Sequence, residues 1–194
     1  MSLHDDLAYL KRIRIYILMS VWIFFLAAVM GYIAAAHDPE VAEVWMKELQ
    51  MLKWILDQPP ILIMVIIFLK NLLACALAVL LGLGLGLVPL LVASSNGIML
   101  GIVSYDAIQK AGILYLLAGT LPHGIIELPT VLIGIAVGFR LGHLLILTIL
   151  GKKEDLAGET RMALHLLLRF FAPLLFLAAA IETFITPIIL SVVA

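Results

Sequence analysis

Long uninterrupted apolar segments constrain the fold of this chain more than any other feature of its sequence. A helix that crosses the hydrocarbon core of a bilayer needs about 20 predominantly apolar residues. Five segments near that length or longer lie at positions 13–36, 61–81, 90–107, 112–142 and 164–193. The sequence therefore predicts an all-α membrane protein with five transmembrane helices in a single domain.

The composition supports a membrane protein rather than a soluble one. Of the 194 residues, 64% are hydrophobic and 13% are charged, whereas soluble domains are about half apolar and a quarter charged. A soluble core of this size cannot hide so much apolar surface. The formal net charge is -1, and no large basic face is present, so the composition excludes nucleic acid as a partner.

The segment at positions 39–57 differs from these spans because charged residues separate its apolar ones. The apolar residues repeat at helical spacing and are Val41, Trp45, Leu49, Leu52 and Leu56. Such spacing places them on one face of a helix, with polar residues on the other. We expect an external amphipathic helix that lies on the membrane surface or on the other helices. Its apolar face is also a candidate docking surface for a protein partner.

The fourth apolar segment contains residues that disrupt helices. Pro122, Gly124 and Pro129 lie in its middle. Proline removes a backbone donor, and glycine loosens the backbone. The sequence therefore predicts a span that is broken near Pro122–Gly124. A re-entrant half-helix over positions 112–121 is the competing interpretation.

Pairs of small residues at four-residue spacing recur in the apolar segments. These pairs are Gly82/Gly86, Gly97/Gly101, Gly134/Gly138 and Gly138/Gly142. Such pairs let two helix backbones approach closely. The pattern favours packing within one chain, and a homodimer is the alternative.

The distribution of basic residues predicts the orientation in the membrane. Two clusters flank the spans, Lys11/Arg12/Arg14 and Lys152/Lys153/Arg161. Basic residues concentrate on the cytoplasmic side, and five crossings place both clusters there. We therefore expect a multi-pass plasma-membrane protein with a cytoplasmic N-terminus and an external C-terminus.

Five polar side chains fall at a similar depth in the predicted spans. They are Asn71, Asn96, His123, Glu127 and Glu182. At ~1.5 Å per helical residue, several of them lie ~17 Å from the nearest span end, which is close to the middle of the bilayer. Polar groups at this depth are costly, so they are candidates for function by default.

His123 and Glu127 are the centre of this set because positions four apart share a helix face. They are candidate metal ligands, with Glu182 and a water or an asparagine completing the site, and a divalent metal ion is the candidate cofactor. They are equally candidates for a proton or cation path, since histidine titrates near neutral pH. A purely structural hydrogen bond that locks a broken helix is the third interpretation.

Four basic side chains complete the list of candidate residues. Lys70 either pairs with Glu127 or Glu182, or extends towards the interface. We expect Arg140, His143 and Arg169 to lie at the inner interface, where they contact lipid headgroups.

No enzyme motif accompanies these residues. The sequence has no G-x-S-x-G elbow and no P-loop, and His123 lacks the second histidine of an H-E-x-x-H zinc site. We expect no catalytic activity. One hypothesis is that the polar site binds a metal or cation and serves ion or small-solute transport. The other is a non-catalytic scaffold, in which the polar group holds the fold and the outer helix recruits partners.

The polar segments also resemble a known family. The stretch Leu121-Pro122-His123-Gly124-Ile125-Ile126-Glu127-Leu128-Pro129, followed by Gly138-Phe139-Arg140-Leu141-Gly142, resembles the signature of the stage II sporulation protein M family. The shorter elements Phe68-Leu69-Lys70-Asn71, Asn96-Gly97 with Gly101, and Ile181-Glu182 with Pro187 are similar to the pattern of that family.

The resemblance implies an integral membrane protein with five spans. The namesake of the family takes part in engulfment during bacterial sporulation and acts with peptidoglycan hydrolases as a scaffold or localising partner. The family also occurs in prokaryotes that do not sporulate, and it offers no established catalytic residues to assign here.

Overall fold

The structure is a computed structural model, and it describes residues 3–50, 53–55 and 57–193. Within these residues every regular element is a helix. In chain order they are α1 (Leu3–Arg12), α2 (Arg14–His37), α3 (Pro39–Gln50), α4 (Pro60–Leu80), α5 (Leu87–Ile149), α6 (Leu156–Leu166), α7 (Ala172–Ala180) and α8 (Thr186–Val193). Short 3-10 turns follow α3 and α4, at Lys53–Ile55 and Leu81–Leu83. The prediction of an all-α protein is confirmed.

Four helical segments in the described part of the chain are long and apolar enough to cross a bilayer. They are Arg14–His37, Pro60–Leu83, Leu87–Ile149 and Leu156–Val193. The last of these joins α6, α7 and α8 into one continuous helix, which we call the C-terminal helix. It begins earlier than the predicted boundary at 164 because Asp155 caps its first turn, accepting a hydrogen bond from the Gly158 amide at 2.8 Å.

α5 contains a break at Gly112, the first residue of the fourth predicted span, but none at Pro122–Gly124, so the prediction of a break near Pro122–Gly124 is wrong. Gly112 has φ 84° and ψ 172°, while the helix continues through both Pro122 and Pro129. Glycine tolerates positive φ because it has no Cβ. A proline inside a membrane helix removes one hydrogen bond, which neighbouring groups can replace. Because the helix runs on past position 121, no separate half-helix ends there.

The chain folds back on itself at Gly112. A Cβ atom at Gly142 would lie 2.5 Å from the backbone nitrogen of Gly86, and one at Gly138 would lie 2.7 Å from Pro89. The start and the end of α5 are therefore in contact. We call residues 87–111 the first arm and residues 113–149 the second arm.

The glycine pairs pack within the chain. A Cβ atom at Gly97 or Gly101 would overlap the backbone of α2, and one at Gly134 or Gly138 would overlap α4. This internal packing is the arrangement that the four-residue spacing favoured. A hydrogen bond from Ser20 Oγ to the Leu132 carbonyl, 2.9 Å long, also joins α2 to the second arm.

The predicted amphipathic helix is described as α3 over Pro39–Gln50, and it does not reach position 57 as a regular α-helix, since Lys53–Ile55 form a 3-10 turn. Part of its apolar surface packs against the rest of the protein and part is exposed. Ala42 is buried and packs with Val41 against α2 and the first arm, whereas Val44 and Trp45 are exposed. Leu52 and Leu56, which the predicted stripe included, lie outside the described residues.

Candidate functional site

The second arm and the C-terminal helix bring three predicted site residues together. His123 and Glu127 lie one turn apart on the second arm, and Glu182 faces them from the C-terminal helix. One ligand atom from each of the three lies within 4.8 Å of the others, and all three side chains are half-buried. Such a group of one imidazole and two carboxylates can hold a metal ion.

Several polar atoms in this region lack a partner. His123 Nδ1 and Glu127 Oε2 are buried and have no hydrogen-bond partner among the described residues. The same is true of Thr183 Oγ1, next to Glu182 in the chain. Buried polar atoms are normally hydrogen-bonded, and leaving one unpaired costs about 1–3 kcal/mol. The arrangement therefore leaves atoms ready to contact a ligand.

Glu182 and Thr183 lie in a π-helical segment, Ile181–Ile185. Here the Thr186 hydroxyl donates a hydrogen bond to the Ile181 carbonyl over 3.3 Å. Single π turns inside α-helices occur frequently at functional sites, because they shift the direction in which a side chain points. The π turn is thus part of what presents Glu182 to the second arm.

Sequence reasoning missed the π segments, although the sequence carries a signal for them. The C-terminal helix contains two, Leu167–Phe171 and Ile181–Ile185, and each ends two residues before a proline, Pro173 or Pro187. Proline cannot donate to the carbonyl four residues earlier, so the α-helical pattern fails there. Proline alone is not sufficient, because α5 stays α-helical around Pro122.

Lys70 and Asn71 lie on α4 beside the second arm. The two helices run in parallel, with Cys75 facing Gly134 and Ala78 facing Gly138. In this register Lys70 lies about level with the residues just after Glu127. Asn71 is buried, whereas Lys70 is exposed.

Asn96 is not tied to this group. It is exposed on the first arm, and its amide donates a hydrogen bond to the Val92 carbonyl of the same helix at 2.8 Å. The structure thus places Asn71, His123, Glu127 and Glu182 at a similar level. Asn96 is instead hydrogen-bonded to the backbone of its own helix.

Arg140 and His143, predicted at the inner interface, make contacts within the protein. Arg140 Nε lies 3.4 Å from Glu159 Oε1, and His143 Nδ1 is hydrogen-bonded to the Tyr16 hydroxyl. Arg12 Nη2 lies 2.9 Å from the other oxygen of Glu159. We call Arg12, Arg140 and Glu159 the Glu159 ion-pair network. Lipid contact remains a prediction for Arg140 and His143.

Arg169 is exposed in the first π segment, where its guanidinium lies 5.6 Å from the centre of the Phe170 ring. Its lipid contact also remains a prediction.

Sequence reasoning also missed Glu159, since it lies in a polar stretch that resembles a loop. Its carboxylate affects the buried Tyr9 of α1, outside the apolar spans. Burial, and secondarily the charge of Glu159, raise the pKa of the Tyr9 hydroxyl above its usual value. Tyr9 is therefore neutral beside the ion pairs.

Comparison with protein families adds one finding. The family described as stage II sporulation protein M matches residues 20–187. The chain belongs to the stage II sporulation protein M family. The match to this family covers most of the chain and includes His123, Glu127 and Glu182. Among curated proteins and solved structures, nothing matches this family member. Family membership and the long apolar helices together identify it as a membrane protein.

Proposed function

We propose that this protein binds a divalent metal ion, or another cation, between His123, Glu127 and Glu182, and that binding serves the transport of an ion or small solute. One observation carries the proposal. Ligand atoms from two separate helices converge within 4.8 Å. Polar groups that converge inside a membrane are costly, and transport sites are where such a cost is usual.

The proposed topology has five crossings, since the reversal at Gly112 makes each arm of α5 a separate span. The basic residues near α2 place the N-terminus in the cytoplasm, which puts α3 and Gly112 outside. The plasma membrane is the proposed location. His123 then lies ~17 Å from Gly112 along the second arm, which is about half of a ~30 Å hydrocarbon core.

The ligand chemistry favours a divalent transition metal. Two carboxylates supply the negative charge that balances a divalent cation, and an imidazole favours Mn²⁺, Fe²⁺ or Zn²⁺ over Na⁺ or K⁺. Three protein ligands leave coordination positions for water or the Thr183 hydroxyl. The proposal assigns binding rather than catalysis, because both carboxylates act as ligands and neither is spare as a general base.

The metal content of the purified protein tests this proposal. We expect a stoichiometric metal ion in the wild type and its loss in His123→Ala, measured by elemental analysis in detergent. His37→Ala is the matched control, because His37 is exposed at the end of α2. Equal metal content in wild type and His123→Ala would contradict the site. Metal uptake into proteoliposomes, lost in the same variant, distinguishes transport from storage.

A scaffold is the second candidate function, and the exposed part of α3 favours it. Val44 is 58% exposed and Trp45 is 41% exposed, so both leave apolar surface that the fold does not cover. Brominated lipids quench tryptophan fluorescence on contact. Quenching of Trp45, measured with Trp22 and Trp54 replaced by phenylalanine, distinguishes a lipid anchor from a docking surface for a protein. Tryptophan is common at membrane interfaces, so strong quenching identifies a lipid anchor. Its absence supports a docking surface for a protein.

A further inference from the structure

We infer that the Lys70 ammonium neutralises the Glu127–Glu182 pair when no metal is bound, and that an incoming divalent cation displaces it. Lys70 would then act as a tethered competitor that sets how tightly the site holds its cation. This inference rests on the proposed function, because displacement requires the site to bind a cation.

Two carboxylates give the site a concentrated negative charge. Glu127 and Glu182 belong to different helices, yet their oxygen atoms and the His123 imidazole lie within 4.8 Å of one another. Two carboxylates at this separation repel each other strongly in a medium of low polarity. A positive charge nearby removes most of that cost, whether a bound ion or a side chain supplies it.

The helix register places Lys70 where it can supply this charge. α4 runs parallel to the second arm, with Cys75 against Gly134 and Ala78 against Gly138. Extending this register back along α4 places Lys70 within about one turn of Glu127. On the other side, α4 contacts the C-terminal helix, where the rings of Phe68 and Phe176 lie 5.5 Å apart. Lys70 is therefore on the helix that packs against both carboxylate-bearing helices.

The arginines of the second arm and the C-terminal helix are too far from the two carboxylates to neutralise them. Arg140 on the second arm and Arg169 on the C-terminal helix each lie more than three turns from the nearest site carboxylate, ~20 Å along the axis. Arg140 also pairs with Glu159.

Lys70 can also leave the site. Its side chain is exposed rather than packed, and a lysine has a flexible four-carbon stem that can extend towards the interface. Asn71, the next residue, is buried, so α4 can stay in place while the ammonium moves. A group that is close, charged and mobile is what reversible displacement requires.

The inference predicts the effect of removing the charge. Lys70→Met keeps a long flexible side chain but has no charge to compete with a metal ion. We expect it to bind Mn²⁺ at least about tenfold more tightly than the wild type, since a unit charge within about 10 Å changes binding by that order at an effective dielectric constant of about 20. Lys70→Arg keeps the charge and should remain near the wild-type affinity.

Mn²⁺ titration of the full-length protein in detergent tests this, with Lys152→Met as the control at an exposed lysine. Tighter binding by Lys70→Met alone supports the inference. Wild-type or weaker affinity in Lys70→Met overturns it, while leaving the proposed metal site intact. If neither wild type nor Lys70→Met binds Mn²⁺, the proposed divalent-metal site and the displacement both fail.

Thermal unfolding in the absence of metal tests whether Lys70 is the counter-ion of the Glu127–Glu182 pair. In EDTA, we expect Lys70→Met to lower the melting temperature by several degrees, and Glu127→Gln in the same chain to restore most of the loss. Equal effects of Lys70→Met with and without Glu127→Gln would show that the two residues do not interact, and would overturn the inference. This measurement does not depend on a bound metal, so it separates the counter-ion role from the metal site.

Discussion

The Glu159 ion-pair network and the group of His123, Glu127 and Glu182 both concentrate charge, but they satisfy it differently. We call the second the mid-membrane group, after its place in the proposed topology. In the network, each oxygen of Glu159 has its own guanidinium partner, Arg12 at 2.9 Å and Arg140 at 3.4 Å. In the mid-membrane group, His123 Nδ1 and Glu127 Oε2 have no hydrogen-bond partner among the described residues. Both are built from helices that lie far apart in sequence.

This difference distinguishes charged groups that stabilise the fold from charged groups that are available to bind a ligand. A buried carboxylate with two partners has its desolvation cost offset by those partners, so it needs nothing else. A buried group without partners raises the free energy of the folded protein until a ligand arrives. The network should therefore stabilise the fold, whereas the mid-membrane group should gain stability from a cation.

Breaking the network should have the largest effect. Glu159→Ala leaves Arg140 partly buried without its carboxylate, and we expect a loss of about 2–4 kcal/mol of unfolding free energy. Added metal should not restore it. Chemical unfolding in detergent measures the loss. Glu154→Ala is the control, because Glu154 lines the same surface pocket as the three network residues but is not part of the network. A loss below that of the control would show that the network is not structural.

Changing the mid-membrane group should give a smaller effect that depends on metal. Glu127→Gln removes one of two neighbouring negative charges, so we expect wild-type stability or a gain of about 1 kcal/mol without metal. With metal at 100 times its dissociation constant, the wild type should gain about 2.7 kcal/mol and the variant should not. A variant that is destabilised equally with and without metal would support a purely structural His–Glu pair.

The same contrast explains what the sequence can predict. The apolar segments are recognisable because membrane helices need local runs of apolar residues. The pairing of His123 with Glu127 is recognisable because it follows from helix periodicity. The pairing of Arg12 and Arg140 with Glu159 depends on how distant helices pack, and no local pattern marks it.

The fourth predicted span shows both a success and a failure of local sequence signals. Asp106, Gln109 and Lys110 interrupt the apolar residues just before Gly112, so the sequence places a span boundary there. Pro122 suggested a further break, but the helix continues through it. The chain reverses at Gly112, and the far ends of the two arms come together where Gly142 contacts Gly86. Glycine permits the turn, but tertiary packing selects which glycine makes it.

The smallest expected effect concerns the π turn that presents Glu182. Thr186→Val removes the hydrogen bond to the Ile181 carbonyl, which should cost about 1 kcal/mol of stability. Thr148→Val is a close control, because Thr148 makes a hydrogen bond of the same kind, at 2.9 Å to the Leu144 carbonyl, in a regular α-helix. The two variants should lose similar stability, but only Thr186→Val should weaken metal binding, since only it alters the direction of Glu182. Equal metal affinities in both variants, measured by Mn²⁺ titration, would show that the π turn does not shape the site.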